Sequence, residues 1–206
     1  MTQRSDNVLE PVVADDSTEG TEYKAFETKE ELKQAIELSF FNIQILSVTT
    51  TMINAFETLT DRYGPVKDWD VSQITDMSNL FYNMAFDQDI SGWDVSNVTN
   101  MEAMFYMSEF NHPIGEWDVS NVTNMESMFS ESKFNQDISQ WNVNNVVHMS
   151  EMFYDSDFNN GDKPERLENW NIDLDYLTRD STNNMFFGTL IEAGGTAPSW
   201  YVDNFT

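Results

Sequence analysis

Trp93-Asp94-Val95-Ser96-Asn97-Val98-Thr99-Asn100-Met101-Glu102-Ala103-Met104-Phe105-Tyr106, continuing through Met107-Ser108-Glu109-Phe110-Asn111-His112-Pro113-Ile114-Gly115, is a unit that the chain writes several times. Trp-Asp-Val-Ser stands at 69–72, 93–96 and 117–120, and returns as Trp-Asn-Val-Asn at 141–144, so these tryptophans lie 24 residues apart. Self-similarity at a fixed period of this size marks units that cannot bury their apolar face alone and stack on their neighbours. The spacing therefore predicts a repeat solenoid.

The apolar register is tight. After Trp93 come Val95, Val98, Met101, Met104, Phe105, Phe110 and Ile114, and after Trp117 come Val119, Val122, Met125, Met128, Phe129, Phe134 and Ile138. The copy at Trp69 offers Val71, Ile74, Met77, Leu80, Phe81, Phe86 and Ile90, and the copy at Trp141 offers Val143, Val146, Met149, Met152, Phe153 and Phe158. Like stacks on like, as a continuous core requires. Within a unit, Val98, Met101, Met104 and Phe105 have helical spacing, which predicts a helical turn over 99–106. A strand is expected near 89–94, with parallel pairing between coils at a rise of about 4.8 Å. The fold class expected is thus an α/β repeat solenoid, a stack of 24-residue coils with an N-terminal helical cap.

Outside the repeats the text changes. Residues 1–22 are acidic and without aromatic residues, the composition of a disordered tail. Residues 23–206 read as one solenoid domain: an N-terminal cap over 23–52, a degenerate coil over 53–68, the repeats over 69–170, and a last coil with its cap over 171–206. Thr28 followed by Glu31 has capping-box form, and Leu32, Ala35, Ile36 and Phe40 follow at helical spacing. Phe41 to Val48 is rich in β-branched and aromatic residues and predicts a strand. Val66 falls one period before Ile90, and Gly64-Pro65 marks the turn into Trp69. Residues 159–165 form a loop by composition, so Trp170 arrives after 29 residues rather than 24; Met185-Phe186 then supplies the Met-Phe pair of the last coil.

Charge narrows the partners. Ten Lys and Arg against 36 Asp and Glu give a formal charge of −26, which opposes nucleic acid and anionic lipid and favours cationic partners. No run is long and apolar enough for a membrane span, and the first residues have no secretory h-region. Cysteine is absent, which removes disulfides, thiolate metal sites and cysteine nucleophiles.

Motifs for chemistry are few. His112 and His148 occupy different repeat positions, the serines lack a nucleophile-elbow context, and no catalytic residue is assigned. Asp155-Ser156-Asp157-Phe158-Asn159-Asn160-Gly161 alternates oxygen ligands but has glycine at the seventh position and Arg166 at the twelfth, so it fails the EF-hand pattern. No metal and no cofactor is expected. A regular tryptophan column is read as core, with each indole N–H satisfied on a neighbouring coil. The columns Asn97, Asn121 and Thr75, Thr99, Thr123 are read as ladders that satisfy turn backbone, rather than as glycosylation acceptors or an ice-binding face.

The unit Phe134-Asn135-Gln136-Asp137-Ile138-Ser139-Gln140-Trp141-Asn142-Val143, with Trp117 to Phe129 before it, resembles the repeat of the mycoplasma-type surface protein family of unknown function, grouped with the BspA-like leucine-rich-repeat surface proteins. The lead-in Phe26 to Ile36 is similar to that family's entry helix. The resemblance implies a leucine-rich-repeat-like fold, display at a cell surface or outside the cell, and a role in adhesion or protein contact, with no enzyme activity. The absent signal sequence departs from that pattern. The function expected is a non-enzymatic module presenting a rigid surface to a protein partner, with Asp70, Asp94, Asp118, Tyr106 and His112 as binding residues. The alternative is a carbohydrate-binding module using repeated aromatic residues, among them Tyr82, Tyr106 and Tyr154.

Overall fold

The structure, a computed structural model, describes residues 23–44, 58–170, 172 and 179–201. The expected tail over 1–22 and the expected coil start at 53–57 lie outside them. Each unit from Trp69 onward is built from turns. The phenyl rings stack down the centre in two files: Phe81, Phe105, Phe129, Phe153 and Phe186 follow at 5.1, 5.5, 5.7 and 5.6 Å. Beside them Phe86, Phe110, Phe134 and Phe158 follow at 6.5, 6.3 and 6.2 Å. All of the apolar positions named for the four copies are buried.

The main chain between Met101 and Ser108 shows how a unit is made. Met104 N–H bonds to the Met101 carbonyl, Tyr106 N–H to Ala103 and Ser108 N–H to Phe105, at 3.2, 3.2 and 3.1 Å, which are three overlapping turns. The alternate N–H groups point along the stack: those of Met101, Ala103, Phe105 and Met107 donate to Asn124, Glu126, Met128 and Ser130 of the next unit at 2.8 to 3.0 Å. With the Glu102 N–H donating to the Asn100 side chain at 3.1 Å, every backbone donor of the segment is satisfied. The alternation requires left-handed residues, and Ala103 and Met107 have φ of 50° and 53°. Asn79 and Asn83, Ser127 and Glu131, and Glu151 and Asp155 repeat this at the same places, and Asn184 with Gly188 does so in the last unit.

This corrects the expected class. The described residues contain no strand and no sheet, only the isolated parallel bridges Asp76 to Asn100, Asn100 to Asn124 and Asn124 to His148. The protein is therefore not an α/β solenoid, and no leucine-rich-repeat strand face exists among the described residues. A residue with φ near +50° cannot continue an extended strand or a right-handed helix. The expected helical turn over 99–106 is replaced by the overlapping turns, whose apolar residues fall at the same intervals of three. The expected strand near 89–94 is a turn at Ser91-Gly92. Residues 41–44 of the expected strand at 41–48 complete a helix, and 45–48 lie outside the described residues.

That helix, α1 (Lys29–Gln44), covers the first unit. Thr28 Oγ1 accepts the Glu31 N–H at 3.1 Å, and Glu31 returns the contact to the Glu27 N–H at 3.1 Å, one residue earlier than the expected capping box. Leu32, Ala35 and Ile36 are buried. Phe26 stacks on Tyr63 at 4.1 Å and tilts against Trp69 at 5.0 Å, while Lys29 reaches Ser78 and Asp76 of the first unit at 2.6 and 3.2 Å. The opposite end is closed by similar means. Trp200 stacks on Trp170 at 6.0 Å, and Tyr201 meets Phe186 edge-on at 5.1 Å.

The tryptophans are core. Trp69, Trp93, Trp117, Trp141 and Trp170 are buried, and the indole N–H of each from Trp93 onward reaches back one unit, to the carbonyls of Val66, Ile90, Ile114 and Ile138 in turn. Trp200 continues the series on Leu167 at 3.1 Å. The carbonyl of Val66 thus serves Trp93 as that of Ile90 serves Trp117. Asn160, fully buried at φ 49°, ties the 159–169 insertion to the unit below by accepting the Ile138 N–H at 2.9 Å and donating to the Lys163 carbonyl at 2.8 Å.

Two outcomes test this packing. Trp117→Ala should cost about 3–5 kcal/mol in chemical denaturation, since it opens a cavity and removes the indole bond to the Ile90 carbonyl, which keeps only the Trp93 N–H. Glu31 is the second case. A hydrogen bond from Tyr63 leads the effects that hold its carboxyl at about 2, well below its ordinary 4.5. A depressed carboxyl stabilises the fold above its unfolded value and loses that contribution as pH falls through the folded one. Glu31→Gln should therefore flatten the fall in melting temperature between about pH 4.5 and pH 2, measured against wild type.

Candidate functional site

Asp70, Asp94 and Asp118 open equivalent turns on consecutive units and are exposed. Each carboxylate accepts the N–H of the serine two residues on, at 3.0 Å for Ser72, Ser96 and Ser120 alike, and the hydroxyls of Ser72 and Ser96 add bonds of 2.7 and 2.6 Å. These are Asx turns, so the aspartates are chosen in part for folding. The serine hydroxyl and N–H hold Asp94 and Asp118 below the ordinary carboxylate range. The charge of Asp118 acts on Asp94 in the opposite sense, as expected of neighbours along one edge. In the fourth copy Asn142 takes over, accepting the Asn144 N–H at 3.3 Å. Among the described residues no ion pair engages Asp70, Asp94 or Asp118. The edge thus presents carboxylates at intervals of one unit, fixed by their turns and uncompensated.

The other two candidates lie elsewhere on the unit. Tyr106 stacks on Tyr82 at 4.9 Å, and its hydroxyl donates to Glu131 at 2.7 Å. That bond is the first of the effects that push its phenol up to about 12, so Tyr106 stays neutral. His112 rests 5.8 Å from the ring of Phe110, and its Nε2 lies 3.0 Å from the carbonyl and 3.3 Å from the carboxylate of Asp87. No hydrogen bond, ion pair or ring contact joins the aspartate edge to Tyr106 or His112 among the described residues. The candidates therefore do not form one bonded cluster.

Several alternative chemistries lose their side chains to the fold. The amides of Asn97, Asn121 and Asn145 donate to the carbonyls of Ser72, Ser96 and Ser120 at 2.8, 2.8 and 2.7 Å, and a third acceptor-type triplet, Asn204-Phe205-Thr206, lies outside the described residues. Thr99 and Thr123 spend their hydroxyls on the carbonyls of Thr75 and Thr99, both at 3.1 Å. Asp157 pairs with Lys133 at 3.2 Å, and Asp137 with Arg166 at 2.9 Å and Lys163 at 3.5 Å. Burial pushes the Asp137 carboxyl up, but Ser139 and these cations outweigh it and leave the group lowered. No cluster of three or more metal-ligating side chains occurs among the described residues. Asn111, Asn135 and Asn159 form a further ladder, in which Asn111 and Asn135 side chains accept the N–H one unit on at 2.8 Å each.

One surface feature was not legible from the repeats. A groove of about 360 Å³ runs between α1 and the first unit, lined by Lys33, Glu37, Asn79, Leu80, Tyr82 and Met84. Tyr82 is 47% exposed there. The only signal in sequence was the polar face of α1, which carries no motif.

Among the described residues no helix is long and apolar enough to cross a membrane. Neither a curated protein nor a solved structure matches the chain. A family match does exist, and its residues 50–170 take in all four copies of the tryptophan repeat and the insertion that follows. The chain belongs to the family described as Mycoplasma protein of unknown function, DUF285.

Proposed function

We propose that this chain is a non-enzymatic contact module, which presents a rigid acidic surface to a cationic protein partner in adhesion or surface assembly. The observation that supports it most is the edge of Asp70, Asp94 and Asp118, exposed, without an ion pair among the described residues, and held at fixed intervals by the stacking of the units. A rigid array loses little conformational entropy on binding, and its charge steers an oppositely charged partner. The formal charge of −26 acts in the same direction at longer range. Kinship with the BspA-like surface proteins, and display at the cell surface or outside it, belong to the same proposal. They rest on the repeat motifs and do not extend to a leucine-rich-repeat fold.

A carbohydrate platform built from the repeated aromatic residues has less support. The tryptophans are buried, and Tyr82 and Tyr106 lie face to face at 8°, so within that pair each ring covers the other. Sugar rings stack on open faces.

Asn142 supplies the means of testing the acidic edge, because an amide at this position still closes the turn. The triple variant Asp70→Asn, Asp94→Asn, Asp118→Asn should keep the wild-type melting temperature. Its affinity for a partner purified from the native source should fall about tenfold or more, with a shallower dependence on salt. Unchanged affinity in a correctly folded triple variant would contradict the proposal.

A further inference from the structure

We propose that the groove between α1 and the first unit is a saccharide-binding subsite, with the open face of Tyr82 as its platform. Stacking along the units decides which ring faces are free. Tyr106 covers one face of Tyr82 at 4.9 Å and 8°. Tyr82 is still 47% exposed, and Lys33 and Glu37 of α1 line the same groove. There Tyr82 forms a wall of the groove, with Leu80 and Met84 beside it and Lys33, Glu37 and Asn79 around the opening.

The lining fits a neutral polyhydroxylated ring. Lys33 and Glu37 are one helical turn apart on α1 and so address the same side. Neither makes an ion pair among the described residues. An ammonium, a carboxylate and a carboxamide together offer donors and acceptors to vicinal hydroxyls. The two opposite charges nearly cancel across the groove, which removes the drive for a strongly charged ligand and sets this place apart from the aspartate edge. An aromatic face supplies the apolar contact for the C–H side of a sugar ring. The volume of about 360 Å³ lies at the small end of ligand clefts, which suits a short oligosaccharide rather than an extended chain.

The test uses the full chain, with isothermal titration and saturation-transfer NMR against cellotetraose, chitotetraose, maltotetraose and mannotetraose, and with tetralysine and tetraarginine as the cationic comparison. At least one saccharide should bind saturably. Tyr82→Leu should weaken that binding about tenfold or more, and Tyr82→Phe, which keeps the ring face, should retain it. Tyr154→Leu should leave saccharide binding unchanged, as should the triple aspartate variant, so the groove and the acidic edge can fail independently. Absence of binding by all four saccharides overturns the inference. So does binding that survives Tyr82→Leu with the fold intact. Loss of tetraarginine binding in Tyr82→Leu without any saccharide binding also overturns it, and gives the groove to a protein partner.

Discussion

The interaction on which the rest depends is the set of main-chain hydrogen bonds that join one unit to the next. In the second unit these run from the N–H groups of Met101, Ala103, Phe105 and Met107 to carbonyls of the third. They exist because the intervening N–H groups are turned inward to close tight turns, and that alternation needs two left-handed residues per unit. Placing Ala103, Met107, Ser127 or Glu131 at φ near +50° costs about 1 kcal/mol or more apiece. Satisfied backbone and continuous ring stacking on the next unit offset this cost. An isolated unit has neither, so the fold is a property of the array.

Much of that array was legible, and the reason is geometric. Stacking at a fixed repeat forces identical positions to meet, so the tryptophan and phenylalanine registers read directly as core columns. The reach of each indole N–H to a neighbouring unit follows from the same demand, since a buried donor must find an acceptor and the adjacent carbonyl is the nearest one. The asparagine and threonine ladders follow likewise. Even the imperfect copies obey: Val66 stands in for Ile90 beneath Trp93, and Phe186 joins the phenyl file although the chain before it is longer.

The backbone within a unit was not legible. Alanine, methionine and glutamate carry no sign of a left-handed conformation, which in sequence is announced by glycine or asparagine. Only Asn79, Asn83, Asn184 and Gly188 give that sign, at the two ends of the array. Apolar residues three apart suit a helix and also suit overlapping turns, so periodicity alone favoured the wrong element. The strand expected from stacking fails for a related reason: parallel stacking requires hydrogen bonds between units, and alternating turns supply them without extended backbone. On the surface, the aspartates were read as binding residues and are exposed, but their part in closing Asx turns shows only when the serine two residues on is seen to donate. The groove was invisible because it joins Lys33 and Glu37 of the helix to the first unit, segments that only the tertiary fold brings together.

This division separates folding from recognition. Positions repeated in every copy serve stacking, and the two proposed contact sites fall on the outer edge and at the place where the helix covers the first unit. The central claim, that alternate N–H groups of each unit are bonded to the next, is tested most directly by amide hydrogen exchange followed by NMR. The N–H groups of Met101, Ala103, Phe105 and Met107 are expected to be strongly protected and to open together with those of Met125, Ser127, Phe129 and Glu131. Exchange of these amides at rates near those of an unstructured peptide, in a chain that otherwise melts cooperatively, would contradict it.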